Sequence, residues 1–146
     1  MDKAGLYALN IDISEVPKID PILEIYDSNS YKIKEIDGGG VGEPESVRHF
    51  GISGPAQFTL RLRGKNKGAN SDVPYELLTE LLPYDGKAEF EPNDQRPDAT
   101  PFAQDMIRGS ISSAADADWY KISVATDAKQ ILRVDLSALT EMDLQL

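Results

Sequence analysis

Gln57 to Arg63 reads Q-F-T-L-R-L-R, and its alternation decides the fold class. Phe58, Leu60 and Leu62 fall on one side of an extended chain, with Gln57, Thr59, Arg61 and Arg63 on the other. Successive side chains of a strand point to opposite faces, so a period of two marks a strand with one buried face. Upstream, Gly54-Pro55 is a turn, and Ser46 to Ile52 is a further strand. Before it come the flexible loop Asp37-Gly38-Gly39-Gly40, the short strand Tyr31 to Ile36, and the turn cluster Asp27-Ser28-Asn29-Ser30. Ile22 to Tyr26 and Leu6 to Ile13 are the first strands; in the latter, Leu9, Ile11 and Ile13 alternate with Asn10 and Asp12. Downstream, Gly64 to Asp72 is a polar loop. Val73 to Leu82 fits two templates: Tyr75, Leu77, Thr79 and Leu81 suit a strand, whereas Leu77, Leu78, Leu81 and Leu82 suit a helix face. Its neighbours are strands, which favours the first. The 9 prolines and 11 glycines punctuate short segments throughout, as an all-β chain requires.

Pro83 to Asp98 is polar, holds three prolines, and forms the clearest boundary. After it, strands are expected at Met106 to Ile111, Trp119 to Val124 and Ile131 to Leu136. The two ends of the chain resemble each other. Asn10 to Leu23 aligns without a gap on Arg133 to Leu146, with identity at Asp12/Asp135, Ser14/Ser137, Asp20/Asp143 and Leu23/Leu146. Ile11/Val134, Ile13/Leu136, Val16/Leu139 and Ile19/Met142 exchange one apolar residue for another. Self-similarity at a fixed spacing marks a repeated structural unit. The layout is therefore residues 1–83 as the C-terminal part of one β-sandwich repeat, 84–98 as linker and lead-in loop, and 99–146 as the N-terminal part of the next. Glu91–Leu146 and Glu24–Pro83 together supply about 116 residues, against the roughly 100 that a two-sheet sandwich needs.

Composition narrows the function classes. With 40% hydrophobic and 27% charged residues, the chain of 146 residues is globular rather than disordered. A net charge of −10 repels phosphate backbones and anionic membrane surfaces, which argues against nucleic acid and leaves divalent cations as plausible partners. The absence of cysteine removes disulfides, thiolate catalysis and thiolate zinc sites. No apolar run approaches the length of a membrane span. Met1-Asp2-Lys3-Ala4 leads straight into a strand pattern without a leader, which reads as a start placed inside a longer protein.

Glu91-Pro92-Asn93-Asp94, Ala99-Thr100-Pro101, Gly109-Ser110-Ile111 and Asp116-Ala117-Asp118-Trp119-Tyr120 resemble the opening of the bacterial pre-peptidase C-terminal domain. Leu23-Glu24-Ile25-Tyr26-Asp27, Asp37-Gly38-Gly39-Gly40 and Gly54-Pro55 followed by Phe58-Thr59-Leu60-Arg61-Leu62 resemble its later part. Together the partial copies cover nearly the whole chain. The departures are that neither copy is full length and that Ser30-Tyr31 stands where the family has a glycine after the turn. The resemblance implies a jelly-roll-like β-sandwich, an extracytoplasmic location (secreted, periplasmic or cell surface), and a non-catalytic accessory role beside bacterial peptidases or in surface proteins. Some relatives bind calcium; others are thought to bind substrate or aid secretion.

Calcium takes six to eight hard oxygen ligands. Glu91, Asn93 and Asp94, with Glu89 just before them, supply such oxygens in one short loop, and Asp116 and Asp118 supply more before a strand. If the lead-in loop packs against the start of that strand, six oxygen-bearing side chains converge. The competing account is turn chemistry: Asn-Asp after Pro is an ordinary turn, and Asp before a strand often caps a loop. The spacing is not that of an EF-hand. Catalysis has less support. His49 is the single histidine and lies in a strand pattern, V-R-H-F-G-I, with no nucleophile motif near it. Gly38-Gly39-Gly40 precedes no lysine-bearing helix start, so it is no phosphate loop.

Two functions follow as expectations. One is a non-catalytic accessory module of an exported bacterial protein, stabilised by Ca²⁺. The alternative is an adhesive module that binds an extracellular polysaccharide or protein through aromatic side chains. Its candidates are Tyr26, Tyr31, Phe50, Phe58, Trp119 and Tyr120, with Trp119 expected in the core and Tyr120 at the surface. The broken repeat adds an assembly expectation. The second copy completes the first, as a circularly permuted sandwich or through strands exchanged in a homodimer, with Leu9–Ile13 and Leu132–Leu136 competing for one seat.

Overall fold

The computed structural model describes residues 5–102, 105–111, 116–124, 129 and 131–137. Its strands are β1 (Leu6–Ile13), β2 (Pro21–Tyr26), β3 (Lys32–Ile36), β4 (Glu45–Ser53), β5 (Thr59–Gly64), β6 (Leu77–Pro83), β7 (Thr100–Pro101) and β8 (Tyr120–Lys121). A single 3-10 turn, Arg96–Asp98, is the only helical element among the described residues. The fold is all-β. One antiparallel sheet has the order β4-β1-β6 and a second the order β3-β2-β5, while β7 and β8 form a small parallel pair.

Both antiparallel sheets contribute to one apolar cluster, an arrangement consistent with a β-sandwich. Ile11 and Ile13 come from β1, Val47, Phe50 and Ile52 from β4, Leu23 and Ile25 from β2, and Ile36 from β3. Phe58, Leu60 and Leu62 pack against this cluster, as their alternation predicts. Phe58 meets Phe50 edge to face at 5.3 Å between centroids. Fully burying such side chains contributes about 1.5–3 kcal/mol each.

The phase of β4 depends on a bulge. Leu9 pairs with Phe50 but Ile11 pairs with Val47, so Asn10 stands opposite both Arg48 and His49. His49 takes φ 55°, and its N–H donates to Asn10 Oδ1 at 3.1 Å. One extra residue shifts a strand's alternation by one. That shift turns Phe50 and Ile52 to the same side as Val47.

The outer face of the second sheet is ionic. Glu24, on the central strand β2, is buried and accepts hydrogen bonds from Tyr26 (2.9 Å), Arg61 and Arg63 (both 3.2 Å). It also faces Lys32 at 3.7 Å. Burial by itself would raise its pKa, but the Tyr26 hydroxyl and the two guanidiniums outweigh that and hold it below the ordinary 4.5. The long cationic side chains thus cover the sheet with their stems and pair the carboxylate with their heads.

Val73 to Leu82 resolves as strand: β6 begins at Leu77 and pairs with β1 as an edge strand, with all its residues exposed. Several expectations for the second partial repeat are corrected. Met106 to Ile111 is not a strand; Arg108 makes only an isolated bridge to Ala88. The strand expected over Trp119 to Val124 is reduced to Tyr120–Lys121. Ile131 to Leu136 forms no strand, and Ile131 and Leu132 stand exposed. An apolar/polar pattern needs a sheet edge to pair with, and the seat between β4 and β6 is filled by β1. Part of the repeat partner of Asn10–Leu23, residues 138–146, lies outside the described residues. Phe90 and Glu91 lie against β4: Glu91 bridges to Phe50 in parallel, and Phe90 lies against Gly51.

Removing the Glu24 charge has a pH signature. Because its folded pKa is depressed, its contribution to stability is present above about pH 4.5 and is lost as pH falls through the folded value. Glu24→Gln is expected to lower the melting temperature at pH 7, with the gap from the parent chain narrowing as pH falls below the ordinary 4.5 in thermal melts followed by circular dichroism.

Candidate metal centre

The lead-in loop and the segment before β8 meet. Backbone pairing holds them: Glu89 N–H donates to Arg108 O at 2.8 Å, Trp119 N–H to Asn93 O at 3.1 Å, and Thr100 N–H to Trp119 O at 2.8 Å. Glu91 N–H donates to His49 O at 3.0 Å, so the β4 bulge seats the loop on the first sheet. Thr100 Oγ1 accepts from Phe90 N–H (3.0 Å) and from Asn93 Nδ2 (3.2 Å), which fixes the turn between them.

These contacts bring together every carboxylate singled out from the sequence as a metal ligand. Carboxylate oxygens of Glu89, Glu91 and Asp118 lie within 4.8 Å of one another, and so do those of Glu91, Asp94 and Asp116. Glu91 belongs to both groups, so the five carboxylates form one cluster. Glu89 and Asn93 are wholly buried, and Glu91 nearly so. Asn93 N–H donates to Glu91 Oε2 at 3.1 Å, and Ala117 N–H to Asp94 Oδ1 at 3.4 Å. The five carboxylates thus converge, and Asn93 meets them through its backbone N–H. Turn chemistry alone does not account for carboxylates buried from opposite sides of one site.

One cation that the sequence reading missed enters the cluster. Lys34 Nζ lies 3.0 Å from Glu91 Oε2, 3.5 Å from Asp116 Oδ1 and 3.9 Å from Asp94 Oδ2. Lys34 pairs with Ile25 across β2 and β3, and directly opposed residues share a face, so its side chain points to the core side. Burial favours its neutral form, yet Glu91, Asp116 and Asp94 together hold its pKa above the ordinary 10.5.

Among the described residues, one ammonium faces these five carboxylates. Burial, the neighbouring Glu89 charge, a hydrogen bond to Glu89, and Asp116 raise the Asp118 carboxyl to about 7. Burial chiefly raises Glu89 and Glu91 as well; Ser110 opposes the shift at Glu89, and Lys34 opposes it at Glu91. The cluster therefore either retains protons at neutral pH or takes up a cation. Two buried acceptor atoms, Asn93 Oδ1 and Asp118 Oδ1, have no hydrogen-bond partner. An oxygen-only donor set with orphaned acceptors fits a hard divalent ion. The Glu91, Asp94 and Asp116 group already holds Lys34 Nζ, which a bound ion would have to displace or share. The Glu89, Glu91 and Asp118 group is closed on one side by Tyr120, whose hydroxyl lies 3.4 Å from both Glu89 Oε2 and Asp118 Oδ2.

Tyr120 and Trp119 take the opposite orientations to those expected: Trp119 is 45% exposed, and Tyr120 turns its hydroxyl inward. A buried phenol needs a hydrogen-bond partner, and the acids provide one, whereas Asn93 and Thr100 engage Trp119 by its backbone alone. Among the other aromatic candidates, Phe50 is in the core, Phe58 packs on it, and Tyr26 bonds Glu24. Tyr31 is exposed.

His49 Nδ1 lies 3.8 Å from Glu89 Oε1. Burial chiefly, and Arg48, lower its pKa, so the ring is neutral at pH 7. Ser110 Oγ donates to Glu89 Oε1 at 2.9 Å. The carboxylate thus stands between serine and imidazole, whereas nucleophilic catalysis needs the imidazole between serine and acid. Among the described residues, no helix is long and apolar enough to cross a membrane. No protein-family model matches the chain, and neither a curated protein nor a solved structure is found similar to it.

Gly109 is the steric condition of the cluster. A Cβ there would lie 2.4 Å from the Tyr120 hydroxyl, 2.6 Å from Glu89 Oε2 and 3.1 Å from Asp118 Oδ2. Gly109→Ala is expected to cost about 1–3 kcal/mol in denaturant unfolding, the usual penalty for overpacking. A second expectation concerns pH. Asp118 titrates near 7 in the fold against an ordinary 3.8, so the metal-free fold binds the extra proton and loses stability as pH rises from about 4 to 7. Asp118→Asn should flatten that slope in melts recorded with chelator.

Proposed function

We propose that the chain is a non-catalytic accessory β-module of an exported bacterial protein, clamped by bound calcium. The observation that carries this reading is the convergence of the Glu89, Glu91, Asp94, Asp116 and Asp118 carboxylates, with Lys34 the one ammonium paired to them among the described residues. The donors are all hard oxygens, which suits calcium better than a thiolate- or imidazole-seeking metal. The ligands come from the lead-in loop and from the segment before β8, so an ion would tie the second partial repeat together, and Lys34 and the β4 bulge would tie it to the first. The resemblance of these segments to the pre-peptidase C-terminal domain supports both the accessory role and the exported location. The chain's acidity fits a calcium-rich exterior and disfavours nucleic acid.

The adhesive reading rests on exposed aromatics, chiefly Tyr31 and Trp119. Trp119 projects beside the acidic cluster, where a polymer could be gripped next to the ion.

Melting the chain in millimolar calcium and again in chelator separates the two. A ligand at about 100 times its dissociation constant adds ~2.7 kcal/mol, which is several degrees for a domain of this size. The clamp requires a rise with calcium that disappears in Asp94→Ala and in Asp118→Ala. No rise in the parent chain would return these acids to turn duty and leave the aromatic-faced module as the better account.

A further inference from the structure

A second group of acids lies at the end of the β3-β2-β5 sheet where β2 begins and β3 and β5 finish. Asp20 precedes β2, Asp37 follows β3 and Glu45 opens β4. One carboxylate oxygen from each lies within 4.8 Å of those of the other two. None of the three belongs to the cluster around Glu91, and none lies in the segments that resemble the family's opening.

The three acids differ in how they are satisfied. Glu45 is buried and accepts from the N–H groups of Gly38 (3.1 Å) and Gly39 (2.9 Å). Asp37 pairs with Lys65 Nζ at 2.9 Å. Asp20 is only 8% exposed, and its Oδ1 is fully buried with no hydrogen-bond partner. Lys65 approaches Asp20 no closer than 3.8 Å, at Oδ2, and its side chain is half exposed. One half-exposed ammonium therefore serves both Asp37 and Asp20 and leaves the buried Oδ1 of Asp20 without a donor. A buried carboxylate oxygen without a partner is costly, and a cation supplies what no nearby donor does.

We propose that Asp20, Asp37 and Glu45 form a second calcium site, which Lys65 occupies in the ion's absence and vacates when it binds. The donors are oxygen only. Their spacing lies within the about 4.8 Å that two oxygens can span across a calcium ion at about 2.4 Å each. Water completes the six to eight ligands such an ion takes. The ion would join the segment before β2 to both ends of the loop that connects β3 and β4. That loop is already folded back, with Gly42 N–H donating to Ile19 O at 2.7 Å. Lys65 stays anchored through its backbone N–H to Asp20 O at 2.8 Å while its side chain swings to solvent.

Calorimetric titration of calcium chloride into the full chain carrying Glu91→Gln with Asp118→Asn tests the site without the first cluster. Saturable binding near one equivalent is expected. Adding Asp37→Asn, a partly exposed position, should weaken it about tenfold or more, as loss of one of three anionic ligands does, while the circular dichroism spectrum stays that of the parent. Adding Lys65→Met instead should tighten binding about fivefold, because one competing charge at about 4 Å is removed. Absence of saturable binding in the Glu91→Gln, Asp118→Asn chain overturns the proposal, and so does binding indifferent to both Asp37→Asn and Lys65→Met. The first site is judged separately, by the melting shift that Asp94→Ala removes. A chain that keeps the Asp37-dependent titration but shows no Asp94-dependent shift has the second site alone.

Discussion

The contact between Lys34 and Glu91 holds the two parts of this chain to one another. Lys34 reaches out from the core side of the second sheet, and Glu91 belongs to a segment that the first sheet seats on its bulged strand. Both partners are almost wholly withdrawn from water. A buried ion pair recovers its desolvation cost only when its geometry is good and further polar groups share the charge. Here Asp94 and Asp116 also face the ammonium, and Asn93 N–H also faces the carboxylate. The rest of the acidic cluster forms around that pair, and the excess of negative charge is what makes it chemically interesting. Among the described residues, Lys34 is the one ammonium that its five carboxylates share.

What the sequence made legible follows a simple line. Local patterns survived, and features set by register did not. The alternation in Gln57–Arg63 placed Phe58, Leu60 and Leu62 correctly, because a period of two leaves no freedom once a strand has a buried face. The acids were legible because Glu89, Glu91, Asn93 and Asp94 sit within six residues, and Asp116 and Asp118 bracket a single one. Lys34 was invisible because its direction is fixed by standing opposite Ile25, a pairing that no short window contains. The Asp20, Asp37 and Glu45 group was hidden for the same reason: three segments meet only after the sheet has formed.

The orientation of Trp119 and Tyr120 shows a different failure. Strand alternation allows one ring inside, and hydrogen-bonding demand decides that it is tyrosine. The tyrosine hydroxyl finds Glu89 and Asp118, and satisfying that polar tip outweighs hiding the larger ring. Ile131 to Leu136 failed for want of a partner. Its repeat counterpart includes part of β1, which lies between β4 and β6, and an isolated strand pattern has no ladder to join.

The bulge in β4 did have a sequence signal: Val47 and Phe50 are three residues apart rather than two, and Ile52 then resumes the even spacing. Its consequence concerns what changes of length the strand can accept. Conservative exchange of one apolar side chain for another at Phe50 or Ile52 leaves the pattern of faces untouched. A further residue inserted between Val47 and Phe50 would carry Phe50 and Ile52 to the outer face, or force the strand to slip against β1, whereas deletion of one would keep both inward but flatten the bulge. That deletion would also withdraw the His49 carbonyl that receives Glu91. The strand is thus permissive in composition and intolerant in length, the reverse of a surface loop.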